Sequence, residues 1–215
     1  MKKKININVL KAFNLSKMML PIEVVLTIEE FMASFPLHEL SRRNESQLLF
    51  RLVKELSMDI NQKNEIGQTP LHIACIHGHI ESVWACIQLN ADVTSMDNFG
   101  YTALHQVCGN HEKIVSALLS ENISINTLGK IGKTPLHIAV IRSDKHAVKA
   151  LLVHDADPNI EDEYNYITPL HTSASNGHIE ISDLLVQYGA YPHAKDVYGN
   201  TPHSIASAWM IGHLL

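Results

Sequence analysis

Thr134-Pro135-Leu136-His137-Ile138-Ala139 opens a segment running to Asn159 that the chain repeats along most of its length. The core recurs as Thr69-Pro70-Leu71-His72, Thr102-Ala103-Leu104-His105, Thr168-Pro169-Leu170-His171 and, degraded, Thr201-Pro202-His203-Ser204. The threonines stand 33, 32, 34 and 33 residues apart. A period that regular predicts a row of stacked, near-identical units in which each contacts only its neighbours.

The motif carries its own local chemistry. Thr is a helix N-cap whose hydroxyl accepts a free backbone N–H. Pro at the first helical position has a preset φ and lacks the N–H that would otherwise be orphaned. A helix is therefore expected to start at each motif. Small residues follow, such as Ala74-Cys75 and Ala139-Val140, then a polar turn such as His77-Gly78-His79 or Asn176-Gly177-His178. Val148, Leu151 and Leu152 in one unit, and Ile181, Leu184 and Leu185 in the next, fall at the spacing of one buried helical face, which predicts a second, antiparallel helix. Turn formers such as Asp155-Ala156-Asp157-Pro158-Asn159 end it, and Met96-Asp97-Asn98-Phe99-Gly100-Tyr101 leads to the next cap as a projecting hairpin.

Taken together, these motifs resemble the ankyrin-repeat family over residues 35 to 215. The resemblance implies an all-α solenoid of stacked helix-turn-helix units with projecting β-hairpin loops. Residues 1–34 form a basic N-terminal tail and capping helix. The ankyrin-repeat domain occupies 35–215, with repeats at about 35–66, 67–99, 100–131, 132–165 and 166–198 and a partial one at 199–215. Phe35-Pro36-Leu37-His38 counts as the first motif without its Thr. Repeat three is one residue short in the turn Gly109-Asn110-His111 and has Gly129 where the family usually has an Asp, which weakens its hairpin. Repeat four is one residue long within Glu163-Tyr164-Asn165-Tyr166-Ile167, where Asn165 is the residue expected to turn left-handed.

The composition is that of an ordinary globular chain, 46% hydrophobic and 18% charged. Net charge is −5, with five lysines and no acid in residues 1–22, so the repeat body is acidic. That argues against a nucleic-acid surface, which needs clustered positive charge. No apolar run is long enough to span a bilayer. Three cysteines, Cys75, Cys86 and Cys108, make a disulfide framework improbable and fit a reducing, cytoplasmic or nuclear location. Eight of the fourteen histidines lie in the repeat motif or the helix-to-helix turn, leaving no cluster at metal-ligand spacing. No cofactor, metal or catalytic constellation is expected, and the chain reads as no enzyme.

The expected function is a protein-protein interaction module, an adaptor or scaffold that binds a partner protein through its concave hairpin and inner-helix surface. The alternative is the regulatory ankyrin segment of a larger multidomain protein or enzyme. By resemblance, the partner-contacting positions hold Phe99, Tyr101, Lys130, Lys133, Arg142, Tyr164, Tyr166, Tyr198 and Trp209. Aromatic anchors flanked by Lys130, Lys133 and Arg142 suit a partner segment with apolar and some acidic residues. Leu118, Leu119, Leu151, Leu152, Leu184 and Leu185 are expected to be buried between repeats. Near Trp209 the last repeat runs out before a full second helix, which marks a possible homodimer contact at the C-terminal end. The resemblance also implies that Asn61, Asn126 and Asn159 hold the exit turns, at positions that oxygen-dependent dioxygenases hydroxylate in the family.

Overall fold

The computed structural model describes residues 36–107 and 111–212, and the side chains of residues 111 and 208–212 lie outside that description. The basic segment, the expected capping helix and Cys108 also lie outside the described residues. Two rows of short helices form the fold. The first row comprises α1 (Pro36–Arg42), α3 (Pro70–Ile76), a 3-10 helix (Ala103–Gln106), α6 (Pro135–Ile141), α8 (Pro169–Ser175) and α10 (Pro202–Gly212). The second comprises α2 (Ser46–Leu56), α4 (Ile80–Gln88), α5 (His111–Leu119), α7 (Lys145–Val153) and α9 (Ile179–Gln187). Helices of one row pack side by side, and α1, α3, α6 and α8 each pack on their own repeat's second helix. Helices of seven to nine residues are marginal alone in water, so stability has to come from the apolar layer between the rows.

That layer is continuous from Leu37 and Leu49 through Leu71, Val83, Leu104, Leu118, Leu136, Leu151 and Leu170 to Leu185. Counted from each Thr, Cys86, Leu118, Leu151 and Leu185 occupy one equivalent position, and all are 2% exposed or less. The leucine pairs are therefore not equivalent to one another. Leu184 aligns with Ala150 and Ala117, and Leu119 aligns with Leu152 and the exposed Val186. Leu119 and Leu184 are accordingly only half-buried, contrary to the expectation, whereas Leu118, Leu151, Leu152 and Leu185 are buried. Burial pushes the Cys86 thiol up to about 12 and the Cys75 thiol higher still, so both are packing groups and not nucleophiles at neutral pH.

The repeat motif forms a capping box in which His takes the place usually held by Glu or Gln. Thr134 Oγ accepts from the His137 backbone N–H at 3.3 Å, and His137 Nδ1 accepts from the Thr134 N–H at 3.2 Å. Thr168 and His171 repeat the arrangement. The other ring nitrogen, Nε2, reaches the next repeat. His38, His72, His105, His137 and His171 meet the carbonyls of Gln68, Tyr101, Lys133, Ile167 and Asn200, each immediately before the next cap position, at 2.7 to 3.3 Å. Neutral imidazole protonated at Nε2 satisfies every one of these contacts.

A second line of bonds crosses the exit turns, where Asn61, Asn126 and Asn159 each use Oδ1 to accept a backbone N–H of the following repeat, from Asp92, Asp157 and Tyr191. The structural role expected of these asparagines is thus realised. Thr94 stands at the same position of repeat two.

Repeat three departs from the plan. Its first helix is four residues of 3-10 helix, ending where Val107 turns extended at φ −56°, ψ 127°. Ala103 replaces the proline, and the missing residue leaves less chain to reach α5. Extended residues advance more than twice as far as helical ones, so helix is given up to span the gap.

Candidate functional site

Five loops project between successive repeats, each closed by a backbone bond from its first N–H to its last carbonyl: residues 64–68, 97–101, 129–133, 162–167 and 196–200. The described residues contain no strand, so the projecting loops are not β-hairpin ladders. Four of the five are turns braced from inside by one carboxylate or amide. Asp97 Oδ1 accepts from Phe99 and Tyr101 N–H at 2.9 and 3.0 Å, and Asp196 Oδ1 accepts from Tyr198 and Asn200. Asp162 serves Asn165 and Ile167 in the longer loop, and Asn64 serves Ile66 and Gln68. Those hydrogen bonds and Lys133 hold the Asp162 carboxyl below its ordinary range, although burial opposes them.

Adjacent loops are joined by one backbone bond each: Asn98 N–H to Ile66 O, Lys130 N–H to Gly100 O, Glu163 N–H to Ile131 O and Val197 N–H to Asn165 O. This close approach explains Gly100, which has φ +76° and whose Cβ would lie 2.7 Å from the Lys130 nitrogen. In the longer loop the left-handed residue is Tyr166, at φ 53°, and not Asn165 as the sequence suggested. The extra residue moves the turn by one place, and the inter-loop bond to Val197 engages the carbonyl of Asn165. The 129–133 loop has no bracing carboxylate, as expected. A Cβ at Gly129 would meet Gly100 O at 3.0 Å, and Ile131, a β-branched residue, is left at φ 107°. Ile131→Gly should therefore stabilise the chain by about 1 kcal/mol through relief of backbone strain. A thermal or denaturant midpoint that falls instead would show that the Ile131 side chain matters more than its φ.

The rings expected at the surface are there. Phe99 is 60%, Tyr164 69%, Tyr166 52% and Tyr198 79% exposed. Tyr101 differs: it is half-buried, with its ring tilted over His105 at 5.6 Å. The cations are also unequal. Lys130 is exposed, whereas Lys133 bonds Asp162 at 2.7 Å. Arg142 bonds the Gln106 side chain and the His105 carbonyl, and Gln106 in turn donates to Asp97 at 3.2 Å. Lys133 and Arg142 thus brace the loops and are largely spent within the molecule. Trp209 lies in α10, which runs unbroken to Gly212, and its side chain is outside the described residues.

The sequence reading passed over Trp84, on the outer row. It is 44% exposed, between clefts of about 520 and 440 Å³. One cleft is lined by Phe50, Arg51 and Glu81 and the other by Ile80, Glu112 and Lys113. The equivalent position holds Phe50 in the first repeat and Ser116, Lys149 and Asp183 in later ones, so aligning the units would have shown two adjacent aromatics where the later repeats are polar. Among the described residues, no three His, Cys, Asp or Glu side chains gather to hold a metal, and no helix is long and apolar enough to cross a membrane.

Comparison with known proteins agrees with the architecture. The family model for ankyrin repeats (3 copies) matches residues 37–129, 85–162, 111–196 and 136–214. The chain belongs to the ankyrin-repeat family. It is 31% identical over 129 residues to ankyrin repeat protein OPG189 of variola virus, covering 57% of this chain and 23% of that one. It is 27% identical over 180 residues to the B-cell lymphoma 3 protein homolog of Mus musculus, covering 80% and 40%. It is also 35% identical over 160 residues to the E3 ubiquitin-protein ligase XBAT32 of Arabidopsis thaliana, covering 72% and 29%. The chain spans less than half the length of each of these relatives.

Proposed function

We propose that the chain is a non-enzymatic interaction module, an adaptor or scaffold that takes a partner protein against its loops and inner-helix ends. The observation that carries this reading is the exposure of Phe99, Tyr164, Tyr166 and Tyr198 on loops already fixed by internal carboxylates and inter-loop bonds. Rigid aromatic side chains bury large areas at low entropic cost, and a preorganised loop loses little further freedom on binding. Lys130 supplies the cation left free for the partner, and Tyr101 supports the ledge from beneath.

The test begins with a partner captured from native extract and identified by mass spectrometry. Its affinity is then measured for Tyr164→Ala, Tyr166→Ala and Tyr198→Ala variants whose circular dichroism is unchanged. At least one should lose about 2 kcal/mol, as a hot spot does. Losses under about 0.5 kcal/mol at all three place the interface elsewhere, with the Trp84 clefts the next surface to test.

A second reading is favoured by coverage. Because the chain spans less than half of each of the three relatives named above, the same surface also suits the regulatory segment of a larger protein, an enzyme included. In either case the unpaired buried thiols suit a reducing compartment such as the cytoplasm or nucleus.

A further inference from the structure

The imidazoles of the inner row have a proton-sensitive wiring that their outer-row counterparts lack. At His72, His105 and His137, Nδ1 accepts the backbone N–H of Thr69, Thr102 or Thr134 at 3.2 Å and lies 2.8 to 2.9 Å from the same threonine's hydroxyl, which can turn to either role while the backbone N–H cannot. Nε2 already serves the carbonyl that closes the next loop, namely that of Tyr101, Lys133 or Ile167. A second proton has nowhere to go except Nδ1, against a backbone N–H that cannot reverse. His154 on the outer row is wired the other way, with Nδ1 on the Ala150 carbonyl and Nε2 on the Ser116 hydroxyl, and no backbone N–H facing either nitrogen in those two bonds.

We propose that the inner histidine row is an acid-sensitive latch on the partner-binding loops. Protonation at Nδ1 removes the acceptor of the capping box, and a ring that turns away from the facing N–H withdraws Nε2–H from the carbonyl that closes the loop, so acidification loosens the stack and the ledge together. This regulation rests on the proposed function in that the latched loops are the ones that carry the aromatic ledge.

The surroundings agree with the wiring. Burial, the largest influence, lowers the His105 and His137 pKa values to about 4 and lowers that of His72 as well. The accepting carbonyls oppose the shift. Asp97 faces His105 and opposes it too, while Arg142 and His72 reinforce it. At His137, Asp162 opposes while Lys133 and His105 reinforce. At His72, Asp97 and Asp92 oppose while Lys63 reinforces.

His105 and His137 bind protons in the unfolded chain near pH 6.5 but not in the folded one until about pH 4. Their contribution to stability is therefore complete above about pH 6.5. It falls as the pH drops, by up to about tenfold in the folded-to-unfolded ratio per pH unit for each imidazole.

The experiment is denaturant unfolding of the full chain at several pH values from 7.5 to 4.5, for the wild type, His105→Gln and His137→Gln. Gln at this position retains capping-box reach but cannot titrate in this range. The wild type should lose at least a hundredfold in the folded-to-unfolded ratio, and each substitution should flatten the slope by about one proton. Hydrogen exchange at the amides of Thr102 and Thr134 should speed up over the same range. Should a variant fail to fold at pH 7.5, NMR titration of the wild-type imidazoles decides: values below about 5 support the latch, and values near 6.5 with unchanged stability overturn it. Parallel slopes in wild type and variants also overturn it. None of these readings uses a partner, so a negative result here leaves the ledge intact, and a negative tyrosine scan leaves the latch intact.

Discussion

Leu185→Ala should destabilise the chain by about 2 to 5 kcal/mol, and Leu184→Ala, one residue earlier, by about 1 kcal/mol. Leu185 is fully buried beneath α8 and α9, at the position that Leu118 and Leu151 hold in their own repeats, whereas Leu184 is half-buried. Leu152→Ala, at 2% exposure in the middle of the stack, belongs with the large losses. Because repeats contact only their neighbours, its effect should be to divide the stack and not merely to fray an end. Denaturant midpoints for the three variants test this. Equal losses at 184 and 185 would mean that the helix is rotated from the position described, and an unchanged midpoint for Leu152→Ala would remove position 152 from the core.

The second large effect is expected at a loop tip. Gly100→Ala combines two costs: a left-handed φ of +76° and a Cβ only 2.7 Å from the Lys130 nitrogen and 2.2 Å from the Lys130 Cβ. Gly199→Ala meets only the first, since it has φ +80° with nothing within 4 Å of the added atom. About 1 kcal/mol is expected for the strained φ alone and about 2 to 3 kcal/mol more at Gly100 for displacing the next loop's backbone. Thermal unfolding of the two variants separates the terms. If Gly100→Ala were as mild as Gly199→Ala, the loops would be free to separate, and a preordered binding ledge would lose its basis.

Much of this molecule was legible because the information was repeated. A Thr-Pro-Leu-His motif returning at an almost constant interval specifies a helix start at each return through capping chemistry local to four residues, and the same interval specifies stacking. The loop aromatics were legible for a similar reason: they lie at fixed offsets from the motif, and Phe99, Tyr164, Tyr166 and Tyr198 are all exposed.

What the sequence could not decide by itself were matters settled between repeats. Paired leucines look alike in a string, yet Leu119 is half-buried where Leu152, at the equivalent position, is buried, and Leu184 is half-buried where Ala117 and Ala150 are buried, so side-chain size and the adjoining repeat decide the outcome. Lysine and arginine look like free cations until Asp162 and Gln106 are found beside Lys133 and Arg142. The motif histidine announces a framework role, but only the stacked structure places Tyr101, Lys133 and Ile167 carbonyls at its far nitrogen. Local hydrogen-bond chemistry thus determined where each unit begins and ends. Contacts across more than about 28 residues decided which side chains remain available to a partner, because a side chain's freedom is set by the neighbour that the fold brings to it.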